Sequence, residues 1–262
     1  MKIAVLQATA GVNQVERNLA ALDHWAAQAA AGGADLLVTP ELFACGYAPR
    51  LVCDIDGEGQ RAALARIAAR HGLALVGSTV EHDGQDRYIA ATLFDVDGRR
   101  PAHYRKSHLF GEEEGAAFVA GEARSPVVDL GGMRVALGIC YDVEFPEYVR
   151  SMAFEGAEVL LVPTAVPLRS AGCSFDAAVI PEAVVPVRAL ESQVFVAYAN
   201  HAGPDFAGRS CIASPWGAAM ARAATGEQLI LAEVGRDALL RSRAANPYLE
   251  AVRPRLYGNG AE

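Results

Sequence analysis

The sequence predicts an α/β fold, a four-layer α-β-β-α sandwich with two mixed sheets, and three observations lead there. Each half of the chain repeats a strand–helix–strand rhythm. A hairpin follows that rhythm in the first half, so the sheet it joins is mixed. No stretch rich in Pro, Gly or Ser divides the chain. Two such halves pack as two sheets with helices outside them, rather than as one doubly wound sheet, and residues 1–262 are expected to form a single domain.

The elements follow in order. Ile3 to Gln7 reads as a strand, and Val15 to Ala31 as an amphipathic helix with Leu19, Leu22, Trp25 and Ala26 on one face, stopped by Gly32-Gly33. Asp35 to Thr39 is a strand that runs into the turn-rich segment Thr39 to Tyr47. Glu58 to His71 is a helix closed by Gly72, and Leu73 to Val80 is the next strand. Tyr88 to Val96, Asp97-Gly98 and Arg99 to Lys106 have the form of an antiparallel hairpin, after which Glu112-Glu113-Glu114 enters a loop running to Gly121. In the second half Met133 to Ile139, Glu158 to Pro163 and Val194 to Asn200 are strands, and Pro146 to Glu155 and Pro181 to Ser192 are helices. Ser210 to Ala213 and Gln228 to Val234 complete the sheet. The tail from Asn246 to Tyr257, within residues 246–262, carries apolar residues without a sheet to join. It reads as an arm lying on another surface, a second subunit being the candidate.

Composition narrows the function. Apolar residues make up 52%, which excludes disorder, and a net charge of −8 leaves no basic footprint for nucleic acid or an anionic membrane. A small-molecule partner is expected instead. Met1 leads straight into strand-like sequence and no apolar run reaches membrane-spanning length, so a cytoplasmic location is expected. The five cysteines, at positions 45, 53, 140, 173 and 211, are odd in number and lack CxxC spacing. That pattern disfavours both a disulfide framework and a zinc site.

Three strand ends carry reactive groups: Glu41, Lys106 and Cys140. Taken singly each has a plain structural explanation, as a cap, a solvated hairpin end and a core residue. Together they form a chemical set. A cysteine thiol has a free pKa of about 8.5 and needs a base near neutral pH; a poorly solvated carboxylate supplies one and can later protonate a leaving amine. A neighbouring ammonium, with the backbone N–H of Tyr141 just after the cysteine, can stabilise an oxyanion. The sum is acyl transfer through a thioester.

Val38-Thr39-Pro40-Glu41, Tyr104 to Phe110 around Lys106, and Gly138-Ile139-Cys140-Tyr141-Asp142 with Phe145-Pro146-Glu147 resemble the three motifs of the nitrilase superfamily of carbon-nitrogen hydrolases. The resemblance spans Ile3 to about Val234. It implies a nitrilase-like sandwich, Glu41 as general base, Lys106 as oxyanion stabiliser and Cys140 as nucleophile. It also implies a second glutamate after the lysine, at Glu114 with Glu112 and Glu113 as rivals; no metal and no organic cofactor; and pairing into homodimers or higher homo-oligomers. The sequence around Lys106 and Cys140 is similar to aliphatic amidases, including 5-aminopentanamidase-like and stereoselective enzymes, so a small-molecule amide substrate is expected. Tyr47, Phe110, Tyr141, Phe145, Thr164 and Ala165 are candidate pocket residues. Glu144 stands where relatives acting on ω-amides often carry arginine, and an acidic mouth of Glu144 with Glu112 or Glu113 would favour neutral or cationic amides; the alternative is that Glu144 faces solvent or pairs with an arginine such as Arg150. Val166 to Phe175 departs from close relatives. N-carbamoyl-amine hydrolysis, nitrile hydrolysis, a Cys140 pairing with His108 or His201, and a non-catalytic binding protein on the same fold are the competing readings.

Overall fold

The computed structural model describes residues 1–168, 175–253 and 256; residues 169–174, with Cys173, and most of the tail beyond Arg253 lie outside the described residues. In chain order the elements are β1 (Lys2–Gln7), α1 (Val15–Ala31), β2 (Leu36–Val38), α2 (Pro49–Val52), α3 (Glu58–His71), β3 (Ala74–Asp83), β4 (Asp86–Phe94), β5 (Ala102–Arg105) and α4 (Gly111–Ala117). There follow β6 (Val128–Leu130), β7 (Met133–Leu137), a 3-10 turn at Cys140–Glu144, α5 (Pro146–Phe154), β8 (Val159–Pro163), α6 (Val185–Ser192), β9 (Phe195–Ala199), β10 (Cys211–Ala213), β11 (Ala219–Arg222), β12 (Gln228–Glu233), α7 (Arg236–Ala245) and α8 (Tyr248–Ala251).

Two six-stranded mixed sheets result, ordered β12-β1-β2-β3-β4-β5 and β11-β10-β9-β8-β7-β6. Each has three parallel strands in register at its centre, β1-β2-β3 in one and β7-β8-β9 in the other, flanked by antiparallel pairs. The sheets face one another. Ile3, Val5, Leu36, Val38 and Val76 of the first pack with Val135, Leu161 and Ala197 of the second in one buried cluster. The alternate residues Ala4, Leu6, Leu37 and Leu75 meet Leu22 and Ala26 of α1 and Leu64 and Ile67 of α3 on the other face. Burial on both faces is why the parallel strands read as unbroken apolar runs.

The sandwich and its mixed sheets agree with expectation, and four local readings need correction. The longest hairpin is β3–β4, paired from Leu75↔Phe94 to Asp83↔Asp86; its outer end is polar and projects beyond the core, which hid it. Glu112-Glu113-Glu114 lies on the short helix α4, not in a loop. Gln228 to Val234 does not extend the second sheet. It returns as β12 to pair antiparallel with β1, from Lys2↔Glu233 to Gln7↔Gln228. Helix α7 follows, buried only at Leu239 and Ser242, so its sequence carries little apolar periodicity. Of the tail, Asn246 accepts a hydrogen bond from Gln193 Nε2 (2.7 Å), and Leu249 packs on the core at the end of α6.

Leu161, fully buried on β8 between the sheets, tests this packing. Leu161→Ala is expected to cost about 2–5 kcal/mol in urea unfolding, because the opened cavity cannot be refilled from either sheet.

Candidate active site

The C-terminal ends of β2, β5 and β7 converge where the two sheets meet, and each delivers one of the three strand-end residues. Glu41 follows β2 and is fully buried. Its backbone is held from two sides: its N–H donates to the Thr164 carbonyl beyond β8 (3.1 Å), and its carbonyl accepts from His201 Nε2 beyond β9 (2.7 Å). Lys106, directly after β5, is also fully buried, with Nζ 2.8 Å from Glu41 Oε1 and 2.8 Å from each oxygen of Glu114. Glu114 on α4 is likewise sealed from solvent. It further accepts hydrogen bonds from the Tyr47 hydroxyl (2.6 Å) and the Phe110 N–H (2.8 Å). Of the three adjacent glutamates only Glu114 turns inward: Glu112 pairs with Arg50 at the surface and Glu113 is exposed.

Cys140 opens the 3-10 turn after β7, nearly buried, with a φ of 47°. That left-handed conformation costs a non-glycine residue about 1–3 kcal/mol, so surrounding contacts must hold it. Tyr141 is the second residue of that turn, among the first positions of a helix, whose N–H groups have no acceptor within the helix itself.

Electrostatics follow from burial. Desolvation raises Glu41 to about 7, against the pull of the Lys106 charge and helped by the Glu114 charge; hydrogen bonding from Lys106 and the Cys140 thiol opposes the rise. Its Oε2 otherwise has no partner among the described residues. Burial alone would depress Lys106, but Glu41, Cys140 and Glu114 outweigh it and keep the ammonium charged. Burial also pushes the Cys140 thiol well up, with Glu41 adding to the rise and Lys106 opposing it. A thiol beside a carboxylate that titrates near neutrality is an arrangement able to pass a proton from sulfur to oxygen.

A cavity of about 70 Å³ opens on Cys140, lined by Phe110, Glu144, Ala165, Val166, Pro167 and, from the segment before α6, Phe175, Ala177 and Ile180. Phe110, Glu144 and Ala165, three of the candidate pocket residues, line this cavity. Tyr47 and Thr164 are not in this wall: Tyr47 holds Glu114 from behind, and Thr164 is fully buried, supporting the Glu41 turn. Tyr141 and Phe145 instead form an edge-to-face pair at 4.9 Å, with Tyr141 also edge-on to Phe110. Glu144 makes no hydrogen bond or ion pair through its carboxylate among the described residues, and burial raises it to about 7. Arg150 pairs with Glu191 rather than with Glu144.

Neither histidine serves Cys140. His108 Nδ1 binds Asp142 Oδ1 at 2.7 Å, and His201, lowered to about 4 by burial, is a neutral donor to the Glu41 carbonyl stacked between Phe43 and Phe206. No group of three or more His, Cys, Asp or Glu side chains among the described residues could hold a metal ion.

The carbon-nitrogen hydrolase family model matches residues 2–243. The chain belongs to the carbon-nitrogen hydrolase family. Within that family it is 38% identical to a hydrolase in the pqqF 5′ region of Pseudomonas protegens, over 98% of this chain and 90% of that one. It is 32% identical to the 2-oxoglutaramate amidase of Bacillus subtilis, over 86% and 87% of the two chains. Among solved structures, the amidase from Nesterenkonia sp. AN1 superposes with a TM-score of 0.88 at 38% identity, covering 98% of this chain and 95% of that one. The nitrilase-superfamily sandwich read from the sequence is the fold observed.

If Glu41 is the base for Cys140, iodoacetamide near neutral pH should alkylate Cys140 in the native protein and do so at least about tenfold more slowly in Glu41→Gln. Peptide mass spectrometry separates Cys140 from Cys45 and Cys211, which are buried and raised to about 12.

Proposed function

We propose that this cysteine-dependent amidase of the nitrilase superfamily cleaves small aliphatic amides, neutral or cationic in preference to anionic, to carboxylate and ammonia. The observation that carries the reading is the convergence of the buried Glu41 and Lys106 with Cys140, which lines a small, mostly apolar cavity. At about 70 Å³ the cavity is roughly half the 150 Å³ that accommodates benzene, which favours a short acyl chain. The Nesterenkonia amidase has been captured in complex with butyramide and with acrylamide, which supports the same substrate size here.

In this mechanism Glu41 takes the thiol proton as Cys140 Sγ bonds to the amide carbon, and the electron pair of the C=O moves to oxygen. Lys106 and the Tyr141 N–H stabilise that oxyanion. Protonated Glu41 gives its proton to the departing nitrogen; the C–N bond breaks, ammonia leaves and the thioester remains. Water then attacks the thioester while Glu41 accepts its proton, and return of that proton to sulfur releases the acid and the resting thiol. Glu114, anchored by Tyr47 and Phe110, keeps Lys106 aimed. No cofactor enters any step. The reading also carries a cytoplasmic homodimer or higher homo-oligomer, to be measured by light scattering on the eluting protein.

The decisive experiment is ammonia release across a panel of aliphatic, amino-substituted and N-carbamoyl amides, with Cys140→Ala as the blank. Turnover of short aliphatic amides is expected; N-carbamoyl compounds turned over faster would redirect the reading. Because Glu41 must be ionised to act and is raised from 4.5 to about 7, kcat/KM should fall about tenfold per pH unit below that value. Stopped assays across the range would show it.

Selectivity should follow Glu144. 5-Aminopentanamide is expected to be preferred over succinamate, and the preference to grow as pH rises through about 7, where Glu144 ionises. Glu144→Gln should flatten that pH dependence, and a preference for succinamate in the wild type would sink the idea.

A further inference from the structure

We propose that Asp142, working through His108, is a positioning residue that sets Lys106 and Cys140 relative to one another; the proposal rests on the triad reading above. Asp142 is two residues beyond Cys140 and fully buried, yet it takes no part in the chemistry just described. Its two oxygens face different parts of the site. Oδ2 accepts the N–H of Ile139, the residue before Cys140 (2.9 Å), and the hydroxyl of Tyr104 (2.8 Å). Oδ1 accepts the N–H of His108 (3.0 Å) and its Nδ1–H (2.7 Å). Tyr104 and His108 stand two residues to either side of Lys106, one at the end of β5 and the other in the loop beyond it. One carboxylate therefore grips the turn of the cysteine from the second sheet and the loop of the lysine from the first.

The chemistry of the group matters as much as its place. Each oxygen faces one backbone N–H, and a backbone N–H cannot become an acceptor. An asparagine at 142 would set its own NH₂ against one of them in either orientation. Only a carboxylate offers acceptors on both sides. Ile139 fixed in this way fixes the strained backbone at Cys140, whose φ is 47°. His108 is in turn held flat against Phe145, ring centroids 4.0 Å apart at 17°, so the Nδ1–H is delivered at a set angle.

Steady-state kinetics on the amide that the wild type turns over fastest will test this with Asp142→Asn, His108→Phe and His108→Asn, beside Cys140→Ala. Asp142→Asn should lower kcat about 100-fold with KM within about threefold, as expected for groups misplaced by an ångström or less. His108→Phe keeps the stack on Phe145 but loses the donor, and should lower kcat about tenfold. His108→Asn puts an amide N–H where Nδ1–H was, and should recover at least about half the wild-type rate. Wild-type kcat in Asp142→Asn would overturn the proposal, and so would an equal loss in the two His108 variants. If Asp142→Asn does not fold, the His108 pair decides alone, since that ring is partly exposed. Turnover by Cys140→Ala would instead sink the triad reading and leave the Asp142 contacts as structural bonds only.

Discussion

A single ammonium sealed between two carboxylates governs the site. Lys106 lies within 2.8 Å of Glu41 and of both oxygens of Glu114, and none of the three side chains touches solvent. Taking such ions out of water costs several kcal/mol each, and the arrangement holds only because every contact is short and charge-assisted. One positive and two negative charges do not balance. Burial therefore pushes Glu41 toward holding a proton, to about 7, and the Cys140 thiol beside it keeps its own. Carboxylate and thiol lie in one buried charge cluster with Lys106, so the protonation of each depends on that of the other.

That cluster is also what makes the fold and the chemistry inseparable. Glu41, Lys106 and Glu114 come from the first sheet and the helix beyond it, and Cys140 from the second. Across the seam the Glu41 N–H reaches Thr164 and the His201 ring reaches the Glu41 carbonyl. Leu42, just after Glu41, has a φ of 50°, so both Glu41 and Cys140 are tied to left-handed backbone. Such conformations persist where the surroundings over-determine them; here Glu41 is held by contacts from the opposite sheet, and the backbone before Cys140 by Asp142 in its own turn.

Glu41, Lys106 and Cys140 were legible because each ends an apolar run, and a charged or reactive residue at the end of a buried strand is conspicuous. Glu114 was legible only through family resemblance. It sits among three identical residues on a seven-residue helix, where no period separates the inward one from its neighbours. The partner of β12 could not be read because pairing Gln228–Glu233 with Lys2–Gln7 is a contact across most of the chain, whereas periodicity reports only which faces are buried. Asp142 was visible as a letter in a motif and silent as a function: nothing local distinguishes a carboxylate accepting four hydrogen bonds from one in solvent.

The polar groups of the site divide by whether their bonding is complete. Glu114, Lys106 and Asp142 are satisfied by protein donors and acceptors, which is what fixing a geometry requires. Two carboxylates are left open among the described residues: the buried Glu41 at Oε2, and the half-buried Glu144 in the cavity wall. A buried polar group without a partner is costly, so it persists where something else completes it during function. In the proposed mechanism that is, at Glu41, the proton shuttled between thiol, leaving nitrogen and water. Glu144 is half-buried in the cavity wall, and the charges of Arg188 and Lys106 oppose the rise that burial imposes on it. The same desolvation therefore raises both carboxylates to about 7, one beside Cys140 and the other in the cavity wall.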